Sequence, residues 1–169
     1  MIALAGGDDL PHLADVERRA CQLFLEVPGI GDLPLYLTPA RDFESAWRQG
    51  RLWVARLAEG GAPVGFALVE RVGEEWHLEE MDVLPEHGRR GLGRALLAAA
   101  CAWVVAQGQR TLTLTTFRDV PWNAPFYERC GFRRLAEHEL TAALRAQIAD
   151  EASHGLPPET RVAMRWTAP

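Results

Sequence analysis

The chain has 169 residues, 48% hydrophobic and 24% charged, with a net charge of −5. This is ordinary globular composition at a length that buries one core, and no apolar run nears the roughly 18 residues a membrane helix needs. The acidic balance argues against a nucleic-acid partner and favours a cationic small molecule. All 18 basic residues are arginine, which removes Schiff-base lysine chemistry and a P-loop lysine. Cys21, Cys101 and Cys130 are scattered. They make neither a metal-ligand spacing nor a disulfide framework, so no metal is expected and a reducing cytoplasm is the expected location. The stretch "MIALAGGDDLPHL" has no basic n-region and no long apolar h-region, so no signal peptide is expected.

In chain order, residues 2–5 predict a short strand. Residues 9–25 carry apolar side chains at helical spacing after an Asp-Leu-Pro start and predict a helix. Residues 26–40, rich in Pro and Gly, predict a surface loop. A second short helix over 41–50 closes at Gly50. The runs 51–58 and 64–72 flank a Gly-rich turn and predict a hairpin. Residues 76–85 add the third strand of an antiparallel meander, ended by Pro85. A helix from Gly91 to Gln107 follows, and then an alternating, β-branched strand over 110–117. Residues 122–132 predict a short helix with Gly131 past its end, 139–155 a longer helix and 160–167 a last strand. The unit from Trp76 to Phe117 predicts a right-handed parallel crossover. The class is α/β: one domain over 1–169 with a mixed, mostly antiparallel sheet and helices on both faces.

The stretch "VLPEHGRRGLGRALLAAA", Val83 to Ala100, holds the densest chemistry. Gly91 and Gly93 lack a Cβ, so a ligand can approach the backbone closely. Successive N–H groups from Arg89 to Arg94 open a helix, whose N-terminus attracts anions. Alone, such a corner also serves as a plain strand–helix turn. It is no dinucleotide fingerprint, since a third glycine is absent at the required offset, and no P-loop, since no Lys-Ser/Thr follows.

Two motifs together resemble the GNAT superfamily of acyl-CoA N-acyltransferases. Val83, Pro85, Gly91 and Gly93 fit its V-x-P-x-x-[RQ]-G-x-G-x-[GA] pattern. Tyr127, Gly131 and Phe132 fit its Y-x-x-x-G-F helix. Two positions depart: Gly88 stands where the family usually has Arg or Gln, and Arg89 where glycine is common. The spacing of Asn123 to Tyr127 is also shorter than usual. The resemblance implies a parallel strand pair that splays apart, so that the pantetheine arm of acetyl-CoA pairs as a false strand with the backbone of Met81 and Val83. It implies that Gly88, Arg89, Arg90, Gly91, Leu92, Gly93 and Arg94 hold the pyrophosphate, with Asn123 as a further cofactor contact. It places the acyl-CoA core at about 76–132 and a helical insertion at about 137–158.

The activity implied is acetyl transfer to a primary amine of a small molecule or peptide, by direct attack in a ternary complex. Tyr127 is the implied general acid. Glu79 or Glu80 is the candidate base. Simple strand alternation puts Glu79 on the face of Met81 and Val83 and Glu80 on the other, which favours Glu79. Rival readings are a non-catalytic acyl-CoA sensor and a transferase for aminoacyl-tRNA or protein N-termini. A homodimer is an arrangement the resemblance allows.

Overall fold

A computed structural model describes residues 1–34 and 36–169; Leu35, in the expected loop 26–40, lies outside them. The four strands β1 (Ile2–Leu4), β2 (Leu52–Ala55), β3 (Gly65–Val72) and β4 (Glu75–Val83) pair antiparallel in succession. The chain then crosses through α3 (Leu92–Ala106) to β5 (Thr111–Phe117), which runs parallel to β4. Along its whole length β5 pairs antiparallel with β7 (Arg161–Thr167), and β6 (Arg133–Arg134) adds to β7. The sheet order is β1-β2-β3-β4-β5-β7-β6. The mixed sheet, the meander and the parallel crossover are as the periodicity predicts. The two-residue β6 is new: a segment that short has no period of its own and is defined only by its partner.

Helices cover both faces. On one, α1 (Leu10–Ala20) and α2 (Ala40–Arg48) bury Leu13, Val16 and Phe43. Phe43 meets Phe66 of β3 edge to face at 5.2 Å. On the other, α3 buries Leu96, Leu97, Ala100 and Val104, and its Trp103 packs edge to face on Trp53 and Trp76. The short α4 (Ala124–Arg129) precedes β6, and α5 (Ala142–Ser153) lies between β6 and β7. The first helix ends at Ala20 rather than at residue 25, and a 3-10 turn over Cys21–Phe24 continues it. Among the described residues no helix is long and apolar enough to cross a membrane.

Two irregularities in β4 shape the rest. The first is the parting from β5: the strands pair only at Trp76–Leu112 and His77–Thr113. The buried Thr113 hydroxyl donates to the Trp76 carbonyl at 3.1 Å and meets His77 Nδ1 at 2.9 Å. With its one proton already given, Thr113 accepts from Nδ1–H, so Nε2 is the unprotonated nitrogen. Burial holds this imidazole neutral, with its pKa lowered to about 3. The second is a β-bulge. Leu68 faces Glu80 and Val69 faces Leu78, so Glu79 has no opposite residue on β3.

Beyond the bulge, Gly65 closes β3 against the end of β4. A Cβ there would lie 2.6 Å from the Asp82 carbonyl oxygen and 3.0 Å from Val83 Cγ2. Gly65→Ala therefore forces two paired strands apart, a cost of about 1–3 kcal/mol. Thermal melts should show a loss of about 2–4 °C per kcal/mol for a chain of this size.

Candidate active site

The corner between β4 and α3 is built for an anion. Gly91 is the N-cap of α3 and adopts φ +80, a left-handed conformation that favours glycine; Arg89 also sits at φ +57. The two turns point consecutive amides outward. Among the described residues the N–H groups of residues 89 to 94 have no backbone or side-chain acceptor. A Cβ at Gly93 would make only ordinary contacts, the nearest at 3.6 Å to Phe126. The protein's own packing therefore does not demand glycine at 93, whereas a ligand lying on the backbone does. Arg89, Arg90 and Arg94 are exposed around these amides, and no acidic residue stands in the first turn of α3.

The parting strands supply a second set of donors. Leu84 gives its amide to the Val64 carbonyl, on the β3 side. Alternation then turns the amides of Met81 and Val83 toward the edge that β5 has left. The Glu80 carboxylate accepts from the Met81 amide at 3.0 Å.

At the bulge the expected alternation fails. Glu79 does not join Met81 and Val83. Their side chains approach Gly93 of α3, whereas Glu79 is exposed on the opposite side, 3.4 Å from Gln147 of α5. Glu80 and Asp82 pair with Leu68 and Phe66 and share the face covered by α1 and α2. There the Glu80 and Asp82 carboxylates meet Glu17 of α1, and one oxygen of each of the three lies within 4.8 Å of the others. Glu17 was not among the expected site residues. Its sequence signal is a charged residue on the apolar side of an amphipathic helix, at a position that is 1% exposed. Such an oxygen set suits a hard cation or an ammonium group.

Tyr127 lies on α4, 7% exposed, packed edge to face on Phe126 and Phe132. Its hydroxyl makes no hydrogen bond among the described residues. Burial and the nearby Glu80 and Asp82 push its pKa up, so it keeps its proton at neutral pH. Asn123, one turn earlier, gives its Nδ2 to Thr116 Oγ1 at 2.8 Å, while its buried Oδ1 has no partner. Burial pushes the Cys21 and Cys101 thiols up to about 12 and also raises Cys130, which argues against a nucleophilic role. Two surface hollows lie on the outer sides of α1 and α2 and hold none of these groups.

Residues 18–132 match the family model described as acetyltransferase (GNAT) family. The chain belongs to this family. Solved GNAT structures share its fold at low identity. A Neisseria gonorrhoeae N-acetylglutamate synthase complexed with coenzyme A and N-acetyl-glutamate matches all of this chain at 21% identity and a TM-score of 0.72, and this chain spans 35% of that one. The Escherichia coli ribosomal-protein-S18-alanine N-acetyltransferase matches 99% of this chain and 92% of its own at 21% identity and a TM-score of 0.65. The Thermoplasma acidophilum PaiA N-acetyltransferase in complex with coenzyme A matches 99% of this chain and 98% of its own, at 15% identity and a TM-score of 0.63.

In this GNAT acetyltransferase the acids of β4 are strongly perturbed. Desolvation pushes the Glu80 pKa from 4.5 up to about 8, with Glu17 adding to it. Desolvation, then Glu80 and Glu17, raises Asp82, and desolvation raises Glu17 against the Thr38 bonds that lower it. Glu79, exposed at the rim, is pushed up to about 7 by desolvation, Glu70 and Glu151. A carboxyl with a raised native pKa binds its proton more tightly folded than unfolded. Its contribution is therefore full below the unfolded value and is lost as pH rises. For Glu80 the window is about 4.5 to about 8. Glu80→Gln should melt several degrees above the native chain at pH 8, at about 2–4 °C per kcal/mol. The difference should fade toward pH 4.5, as differential melts across pH will show.

Proposed function

We propose that the chain is an acetyl-CoA-dependent N-acetyltransferase that acetylates a primary amine of a small molecule or peptide. The observation that carries this is the continuity of the donors: free amides at 89–94 run into the open edge of β4, which ends beside Tyr127 and Glu80. In this reading the pyrophosphate lies on the α3 amides, flanked by Arg89, Arg90 and Arg94, with Gly88 leading the turn and Leu92 and Gly93 beneath it. The peptide-like pantetheine arm pairs with Met81 and Val83, and the unpartnered Asn123 Oδ1 accepts one of its amides. Coenzyme A bound in the Neisseria and Thermoplasma structures supports the ligand class.

The chemistry follows from which groups meet there. The neutral amine attacks the thioester carbonyl carbon, forming the C–N bond. The Val83 amide stabilises the oxyanion. Collapse breaks the C–S bond, Tyr127 gives its proton to the departing sulfur, and the proton lost by the amine passes to Glu80, directly or through water. We assign the base to Glu80 rather than Glu79 because the bulge leaves Glu79 on the outer rim. No covalent enzyme intermediate is required, consistent with the raised cysteine thiols.

Three measurements test this. Gly91→Val should weaken acetyl-CoA binding strongly in calorimetry while the fold survives. Tyr127→Phe should lower kcat by about 10²–10⁴-fold, the usual worth of a general acid, with the KM for acetyl-CoA little changed; turnover near the native value would remove Tyr127 from the mechanism. Finally, Glu80→Gln should lower kcat/KM for the amine far more than Glu79→Gln, and its defect should widen as pH rises toward about 8, where the native Glu80 gains its basic form. The reverse order would return the base to Glu79.

A further inference from the structure

Three carboxylates meet beside Tyr127, and the reaction needs only one base. The other two side chains lie on the face of β4 away from α3. Glu17 is on α1, in the N-terminal region, and Asp82 is two residues past the proposed base. Glu17 Oε1 accepts from both the amide and the hydroxyl of Thr38, each at 2.9 Å. This fixes the side chain and ties the end of the 26–39 segment to α1. Its other oxygen, Oε2, is fully buried and has no partner, and Asp82 Oδ2 is likewise buried and unpaired; one oxygen of Glu17 lies within 4.8 Å of one from Glu80 and one from Asp82. A buried acceptor without a donor is costly, and here two of them belong to one carboxylate cluster, close enough for Glu80 and Asp82 to act on Tyr127.

The geometry selects the missing donor. Among the described residues no arginine or histidine bonds to any of the three carboxylates. The nearby guanidinium of Arg161 is already held by Glu151 at 2.8 Å. A primary ammonium carries three N–H donors at tetrahedral angles. With N–H···O distances of about 2.9 Å, its three acceptors stand about 4.7 Å apart. The three carboxylates each offer an oxygen no more than 4.8 Å from the others, which is within the span of one such group.

We propose that Glu17, Glu80 and Asp82 form a socket for the acceptor's ammonium group, with Glu17 as its specificity residue. The socket admits alkylamines and peptide-like α-amines and rejects acceptors with a carboxylate beside the amine. This rests on the acetyltransferase reading of the same site. A free amino acid would bring its carboxylate against three oxygen-lined carboxyl groups with no unpaired cation to receive it. The site therefore differs in kind from one that takes glutamate, although an N-acetylglutamate synthase shares the fold.

The test uses three matched acceptors: pentylamine, norleucinamide and norleucine, the last being pentylamine with an added carboxylate. The native chain should acetylate the first two and disfavour norleucine by at least about 100-fold in kcat/KM. Glu17→Gln keeps an oxygen for Thr38 but loses the charge. It should raise the KM for norleucinamide by about 10–100-fold, the worth of one charged hydrogen bond. The KM for acetyl-CoA should not move, and the discrimination against norleucine should narrow. Asp82→Asn repeats the test from the strand side. Equal turnover of norleucine and norleucinamide, or an unchanged amine KM in both variants, would overturn the socket. Binding is read separately from thermal melts, where millimolar pentylammonium should stabilise the native chain but not Glu17→Gln. If it does so while none of the three amines is acetylated, the socket stands and the acetyl-transfer reading falls. If it neither stabilises nor reacts, the socket falls. Stabilisation by Mn²⁺ or Ca²⁺ that exceeds that of pentylammonium and is lost in Glu17→Gln would make this a metal site instead.

Discussion

The parting of β4 from β5 after His77 is the constraint on which the site depends. A parallel pair would ordinarily run on, and its loss leaves backbone groups without partners. Here the last rung is locked by the His77–Thr113–Trp76 bonds, and β5 spends its other edge entirely on β7. Neither strand has another partner within the sheet, so the open edge of β4 persists. Its amides are then satisfied by water, by the Glu80 carboxylate at Met81, or by a ligand with a peptide-like backbone. The same parting brings the start of α3 close to that edge. One extended molecule can thus satisfy the helix amides with its anionic end and the strand amides with its middle.

Charge is divided along this line. The α3 end presents a helix N-terminus and three exposed arginines, with no acid in its first turn. The α1 side of β4 presents acids whose protons are held tightly, first because burial disfavours the charged form and then because Glu80, Asp82 and Glu17 lie close together. The net charge of −5 therefore conceals a cationic corner and a separate cluster of acids that ionise most readily when a cation joins them. The first suits a diphosphate and the second a cation, and an acyl transfer to an amine needs both.

Much of this was legible in the sequence. The period-2 runs and the apolar stripes specified the meander, the crossover and the sheet with helices on both faces, because burial of one face imposes those periods. The corner at 88–94 and the Tyr127–Gly131–Phe132 helix were legible because a left-handed turn and a close backbone approach restrict residue type locally. The two-residue β6 was not legible, since only its pairing with β7 defines it.

The facing of the acids was decided by tertiary structure alone. Alternation read along "WHLEEMDV" puts Glu79 with Met81, and a bulge between Leu78 and Glu80 reverses this without any mark in the residue types. A bulge exists only as a mismatch between two strands, so one strand read alone cannot show it. Glu17 is the same case at longer range. Its spacing places it on the buried side of α1, where a lone acid looks misplaced. Only the packing of α1 across β4, 63 residues further along at Glu80, supplies the two carboxylates that give it a role. What the sequence by itself determined was the chemistry of each segment, because backbone conformation and amphipathic period are local. Which carboxylates share one electrostatic environment depends on strand register and helix placement, and only the folded chain decided it.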